Sequence, residues 1–125
     1  MGKYQELEEL EVYQLAVALA DRIWEIVSSW SSFARDTLGK QMVRAADSIA
    51  ANIAESYGRY HYGDKLNFLY YSRGSLYETK HWVRRSRSRG LMSDATFDDL
   101  FQEKQDYVPL IRPRPRRHRE QPARF

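Results

Sequence analysis

Residues 48–56 read SIAANIAES, a stretch whose alanines and isoleucines favour a helix while polar side chains recur along one side of it. The polar row extends beyond the stretch in both directions, and its six members are Gln41, Arg44, Ser48, Asn52, Glu55 and Arg59. At about 100° per residue the six fall within an arc of about 80°, which borders the apolar stripe of the same helix. Polar side chains that border the core need an explanation, whereas polar side chains on a solvated face do not.

Three interpretations of this row are open. The first is a packing network in which the six side chains pair with one another and with the next helix, because a buried polar group left unpaired costs about 1–3 kcal/mol. The second is direct contact with a ligand, and the third is a solvated edge without a role. We expect the packing network.

Helical periodicity also marks the segments on either side, and no segment alternates polar and apolar residues as a strand would. The predicted helices cover residues 9–30, 36–58 and 64–89, and a fourth begins at Ser93 and ends by Val108, because Pro109 cannot lie inside a helix. Asp64 and Ser93 are the expected N-caps, and Gly90 ends the third helix. We therefore predict an all-α, antiparallel up-down-up-down four-helix bundle over residues 1–111.

Apolar rows identify the predicted core and one unusual helix. The first helix carries two adjacent rows, so it needs neighbours on two sides, either bundle partners or a second subunit. Gly74, in the middle of the third helix, predicts a tight helix crossing. The rows are Val12, Ala16, Leu19, Ile23, Ile26 and Trp30; Tyr13, Val17, Ala20, Trp24 and Val27; Leu38, Met42, Ala45, Ile49 and Ile53; and Leu66, Leu69, Leu76 and Val83.

The 125 residues suffice for one domain, and their composition excludes several protein classes. The absence of cysteine excludes a disulfide framework and thiol chemistry. The acidic, polar N-terminal stretch is unlike a signal peptide, and no apolar run is long enough to span a membrane. A cytoplasmic location and no membrane partner are the resulting expectations.

Charge is unevenly distributed around a net +3. Residues 37–91 hold ten Lys/Arg against four Asp/Glu, whereas residues 1–36 hold three against seven. Residues 92–111 are acidic again, with one against five, and residues 112–125 hold six against one, with prolines that exclude a helix. We expect this last segment to be a disordered basic tail.

A basic ridge follows one side of the predicted third helix. Its cations and its tyrosine could contact phosphates and stack on unpaired bases, although a solvated face and the helix dipole explain the same pattern. The ridge residues are Arg73, Tyr77, Lys80, Arg84 and Arg87, with Arg85 beside them near the C-terminal end. Nucleic-acid binding through these residues is the hypothesis, and a purely structural surface is the alternative.

Catalytic and metal-binding signatures are absent from the sequence. No phosphate-binding glycine loop or nucleophile motif occurs, and the three histidines His61, His81 and His118 lack ligand spacing. Glu55 and Glu78 could be imagined as paired carboxylates, yet nothing places a nucleophile between them. We expect no catalytic residue, no metal and no cofactor.

Four pieces of the sequence resemble the four-helix-bundle proteins encoded by 23S rRNA intervening sequences, and these are similar in turn to accessory proteins of diversity-generating retroelements. The two most specific pieces are QMVRAADSIAANIAES, which includes most of the polar row, and FLYYSRGSLYE, which includes Gly74 and Ser75. LEVYQLAVALADRIWEI and GLMSDATFDDL match the starts of the first and fourth helices. Ser56 and Ser72 depart from the glycine and alanine that are usual in the family.

The resemblance implies a helical protomer that assembles into a ring, often a pentamer, without enzymatic activity. The retroelement relatives imply nucleic-acid and protein binding through a basic ring surface. Our leading hypothesis is accordingly a non-catalytic homo-oligomer that binds RNA or DNA through the ridge. A ring-shaped scaffold that binds a protein partner and no nucleic acid is the alternative.

Overall fold

The computed structural model describes residues 5–101, and every regular element in that range is helical. The main helices are α1 (Glu11–Ser28), α2 (Lys40–Gly58), α3 (Tyr62–Ser88) and α4 (Asp94–Leu100), and a short 3-10 turn, Leu7–Glu9, precedes α1. The prediction of an all-α bundle is confirmed. The predicted continuation of the fourth helix beyond residue 101, the tail 112–125 and His118 lie outside the described residues.

Successive helices run antiparallel. In each pair, contacts begin beside the connecting turn and continue between residues that lie progressively farther from it on both helices. Between α1 and α2, Gly39 meets Val27 near the turn and Tyr57 meets Gln5 at the far end. Between α2 and α3, Ser56 meets Lys65 near the turn and Met42 meets Ser86 at the far end. Between α3 and α4, Arg87 meets Asp94 near the turn and Lys80 meets Phe101 farther away. An ion pair of 2.7 Å between Arg22 of α1 and Asp99 of α4 joins the first helix to the last.

The core takes side chains from all four helices and matches most of the predicted apolar rows. Helices with an apolar stripe gain stability by burying it against one another. Its fully buried large side chains are Ile23, Met42, Ile49, Ile53, Leu76 and Val83. The second row of α1 is only partly covered, because Ala20 and Val27 are buried while Trp24 remains 61% exposed.

The helical run that leads into α2 begins earlier than predicted, at Ser32, and passes through an α-turn (Ser32–Ala34) and a π-helical turn (Arg35–Gly39). Gly39 is buried, and a Cβ added there would lie 2.7 Å from Cγ1 of Val27 and 3.4 Å from the Trp30 ring. The start of α2 therefore lies against the end of α1 at a distance that only glycine permits.

The prediction of a tight crossing at Gly74 is wrong. Gly74 is exposed, and a Cβ added there would meet no atom within 4 Å. Gly39 lies in a crowded environment and Gly74 in an open one, and helix propensity alone does not distinguish the two positions.

The turn between α2 and α3 is held by Lys65. Its Nζ donates to the carbonyl oxygens of Ser56 and Tyr57, at 3.4 Å and 3.3 Å, and burial lowers the pKa of its ammonium group. The N-cap of α3 is His61, so the prediction of Asp64 as the cap is wrong by one turn. Asp64 instead lies in the first turn, where its charge is favourable to the helix dipole.

The turn between α3 and α4 confirms both predicted signals. Gly90 has a φ of 75°, a left-handed conformation that favours glycine. The Leu91 N–H donates to the Ser86 carbonyl at 2.9 Å, as in a Schellman motif. Ser93 caps α4 by accepting from the Thr96 N–H at 3.1 Å.

The two contrasting glycines predict opposite effects of the same substitution. Gly39→Ala should lower the free energy of unfolding by about 1–3 kcal/mol, because its new methyl group overlaps Val27. Gly74→Ala should raise it by about 0.5–1 kcal/mol, because an exposed helical glycine is replaced by a better helix former. Urea denaturation followed by circular dichroism measures both, and changes of the same sign would contradict this account.

Candidate nucleic-acid interface

The basic ridge lies on the side of α3 that borders α4. The helix buries a seam of alternating three- and four-residue spacing, and the ridge follows the next positions around its circumference. Arg73, Lys80 and Arg85 are partly buried, whereas Tyr77, Arg84 and Arg87 are exposed.

Tyr77 stands between two cations at the centre of the ridge. The Arg73 guanidinium carbon lies 5.8 Å from the Tyr77 ring centroid, and the Lys80 ammonium nitrogen lies 5.6 Å from it. Both distances are within the range of cation–π attraction. Tyr77 remains 48% exposed, so the cluster offers an aromatic edge with a positive charge on either side.

Arg84 and Arg87 are both exposed but differ in their contacts with the rest of the protein. The Arg87 guanidinium carbon lies 3.8 Å from the Phe97 ring centroid, and its Nε lies 3.9 Å from an Asp94 oxygen. These contacts hold α4 against α3, so Arg87 serves the fold as well as the surface. Arg84 makes no ion pair within residues 5–101 and is the most available cation of the ridge. Arg85 lies about 100° away from it around the helix.

The polar row of α2 does not link helices as predicted. Ser48 Oγ donates to the Arg44 carbonyl at 2.8 Å, Asn52 Nδ2 donates to the Ser48 carbonyl at 2.9 Å, and Glu55 pairs with Arg59 at 2.8 Å. All of these contacts lie along the run from α2 to its C-cap, because the row sits beside the interface with α3 rather than inside it. The row's residues thus contact one another, as predicted, whereas the contact found with the next helix among the described residues is that of the Arg59 guanidinium, 4.7 Å from the Phe68 ring centroid. Gln41 is exposed.

Buried hydroxyl groups on the seam of α3 make the contacts that were expected of this row. Ser72 Oγ donates to the Ile49 carbonyl of α2 at 2.8 Å. Ser86 Oγ donates to the Trp82 carbonyl of its own helix at 2.9 Å and also lies 3.5 Å from Met42 Sδ of α2. Thr79, midway between them, is also buried and donates to the carbonyl of Ser75 in its own helix at 2.7 Å. Positions 72, 79 and 86 repeat every seven residues between Leu69, Leu76 and Val83, and this heptad spacing is the signal that sequence reasoning missed.

Ser56 makes a second kind of link between the same helices. Its side chain is fully buried, and its Oγ donates to the Lys65 carbonyl in the first turn of α3 at 2.8 Å. Both serines that depart from the family motif, Ser56 and Ser72, thus join α2 to α3.

An aromatic strip, composed of Phe68, Tyr71 and Trp82, runs along α3 on the side facing away from the ridge. Phe68 and Tyr71 meet edge to face at 5.4 Å, and Trp82 Nε1 donates to a Glu78 carboxylate oxygen at 3.1 Å. Tyr71 is 57% exposed. Together with Arg59 on Phe68, the strip forms an outer face shared by α3 and the polar row of α2.

The described residues contain no group of three or more His, Asp or Glu side chains placed to hold a metal ion. His61 and His81 are exposed and lie edge-on against Tyr60 and Trp82. Over the same part of the chain, no helix is both long and apolar enough to cross a bilayer.

Comparison with known proteins identifies one family and one similar fold. The sequence model of the 23S rRNA-intervening sequence protein family matches residues 8–112. A crystal structure of a protein of unknown function from the S23 ribosomal protein family of Bacteroides thetaiotaomicron VPI-5482 superimposes with a TM-score of 0.70 at 20% identity, over 80% of this chain and 94% of that chain. At this identity the likeness shows the fold. No curated protein matches significantly.

The contrast between the two kinds of serine predicts a difference in stability. Ser72→Ala removes a buried hydrogen bond between helices, whereas Ser48→Ala removes a bond to its own helix at the edge of the interface. Because both changes gain the same helix propensity, Ser72→Ala should be less stable than Ser48→Ala by about 1 kcal/mol. Equal midpoints in urea denaturation would show that the Ser72 bond does not link the helices.

Proposed function

This chain belongs to the 23S rRNA-intervening sequence protein family, and we propose that it is a non-catalytic, self-associating helical bundle that binds RNA or DNA through the basic ridge. The observation that carries the proposal is the Arg73–Tyr77–Lys80 cluster followed, one turn on, by Arg84, which forms no ion pair within residues 5–101. Cations next to an exposed ring suit a strand that presents phosphates and unstacked bases together.

The ridge favours binding without sequence preference. Its contacts would be to phosphates and to the flat faces of bases, which every base has. Asp94 of α4 lies 3.9 Å from Arg87 at one end of the ridge, so the strand is expected to follow the side of Arg73 and Arg84 and to avoid α4.

Self-association is the second part of the proposal, and the aromatic strip supports it. Exposed aromatic side chains next to a half-buried polar row form a mixed apolar and hydrogen-bonding surface of the kind found in subunit interfaces. A ring such as the pentamer implied by the family resemblance would repeat the ridge in every subunit, and weak contacts with one strand would then add by avidity.

The same strip supports the second candidate function, a scaffold that binds another protein. In that case the ridge would be only solvated, and a protein partner would remain bound after nuclease treatment. This candidate would be favoured if substitutions on the ridge left nucleic-acid binding unchanged.

Charge reversal on the ridge tests nucleic-acid binding. Arg84→Glu should weaken binding of a single-stranded RNA about fivefold or more and should reduce the slope of log K against log salt by about 1, because one phosphate contact is lost. Arg89→Glu is the matched control: it makes the same charge change near the same helix end, about 140° around the helix. Fluorescence anisotropy at several salt concentrations measures both, and equal losses in the two variants would rule out the ridge.

Substitution on the strip tests self-association. Tyr71→Glu should lower the mass measured by light scattering after nuclease treatment to that of the monomer, because it places a charge in the interface. Tyr70→Glu is the control, since Tyr70 is similarly exposed, at 52%, but points about 100° away. A monomeric wild type, or an unchanged oligomer in Tyr71→Glu, would contradict the proposal.

A further inference from the structure

A cleft lies between the end of α1 and the start of α2, and none of its lining residues belongs to the ridge or the strip. Its volume is about 520 Å³, within the range of small-molecule sites, and the π-helical turn Arg35–Gly39 forms one wall. Turns of this kind inside α-helices are frequent at functional sites. The lining residues are Trp24, Val27, Ser28, Arg35, Asp36, Gly39, Lys40, Val43 and Arg44.

One side of the cleft is apolar and aromatic. Val27 and Val43 form its inner surface, and Trp24 stands beside them with most of its indole exposed. The neighbouring members of the same row of α1, Ala20 and Val27, are buried, so Trp24 is the one that remains open to solvent among them. An exposed indole beside an apolar surface can stack on a flat ring.

The other side of the cleft is cationic. Lys40 and Arg44 are four residues apart, so they lie on one side of α2, and neither forms an ion pair within the described residues. Arg35 and Asp36 approach each other at 3.9 Å. Three cations against one carboxylate favour a ligand with more than one negative charge.

Two carboxylates mark the end of this cationic surface. Asp21 of α1 and Asp47 of α2 follow further along the same helix pair, and burial together with the charge of Asp21 raises the pKa of the Asp47 carboxyl. An anion is therefore favoured only at the end of the groove near the π-turn.

From these features we infer that the cleft binds a nucleoside monophosphate, with the base against Trp24 and the phosphate between Lys40 and Arg44. Simple phosphate would leave Trp24 unused, and a neutral ring would leave the two cations unpaired. Asp36 can accept from the hydroxyl and amino groups that a nucleotide carries. The same chemistry occurs in a free nucleotide and in the 5′-phosphorylated end of a single strand.

The test uses the full chain with AMP, adenosine and inorganic phosphate as probes in isothermal titration calorimetry and tryptophan fluorescence. AMP should bind and quench, and adenosine and phosphate should each bind about tenfold more weakly or worse, because each lacks one of the two contacts. Trp24→Leu should weaken AMP binding at least about fivefold and remove the quenching. Lys40→Gln with Arg44→Gln should reduce AMP binding to that of adenosine.

Controls separate this site from the rest of the surface. Phe33→Leu alters an 80% exposed aromatic residue close to the cleft that does not line it, and Arg84→Glu alters the ridge. Both should leave AMP binding unchanged, so failure of the ridge proposal and failure of this one are distinguishable. Circular dichroism of the substituted proteins confirms that they are folded.

Two oligonucleotides identify the source of the ligand. A short single strand with a 5′-phosphate should displace AMP if the cleft binds a strand end, whereas its 5′-hydroxyl counterpart should not. Displacement by neither oligonucleotide, with AMP still bound, assigns the cleft to free nucleotides. Absence of AMP binding, or AMP binding unaffected by the cleft substitutions, overturns the inference.

Discussion

The close contact of α2 with α3 is the interaction on which the rest of the molecule depends. Ala45 and Ala46 of α2 are small and buried, and Ile49 and Ile53 of α2 belong to the same core cluster as Leu76 and Val83 of α3. The Ser72 hydroxyl then donates across the interface to the Ile49 carbonyl, and the Ser86 hydroxyl lies against Met42. This pair fixes both surfaces of α3, because a helix that buries one side at a set register must present the ridge and the aromatic strip on defined neighbouring sides.

The sequence was sufficient for the helices, their order and most of the core, because periodicity and cap residues are local signals. Gly90 and Ser93 mark the last turn as expected. It was insufficient for the polar row, since an arc beside the apolar stripe does not reveal which edge faces the next helix. Ser72, Thr79 and Ser86 were missed because serine and threonine are usually exposed, and their burial depends on how closely α2 approaches.

The candidate sites also differ in how far the sequence predicts them. The ridge could be predicted from residue spacing, whereas the contact of Arg87 with Phe97 depends on how α4 returns across α3, which no local pattern encodes. The cleft could not be predicted, because its two sides come from different helices and its shape depends on a π-helical turn. Arg44 illustrates this: it belongs to the predicted polar row, yet it lines the cleft with Trp24.

The seam of α3 also bears on the chain before it is folded. Every second seam position carries a hydroxyl in place of a leucine, so an unfinished chain exposes less apolar surface than one with a leucine-only seam. Incomplete chains associate through such surface. The hydroxyls at positions 72, 79 and 86 interrupt it, and we expect nascent copies of this protein to be less prone to aggregate than copies with leucine at these positions.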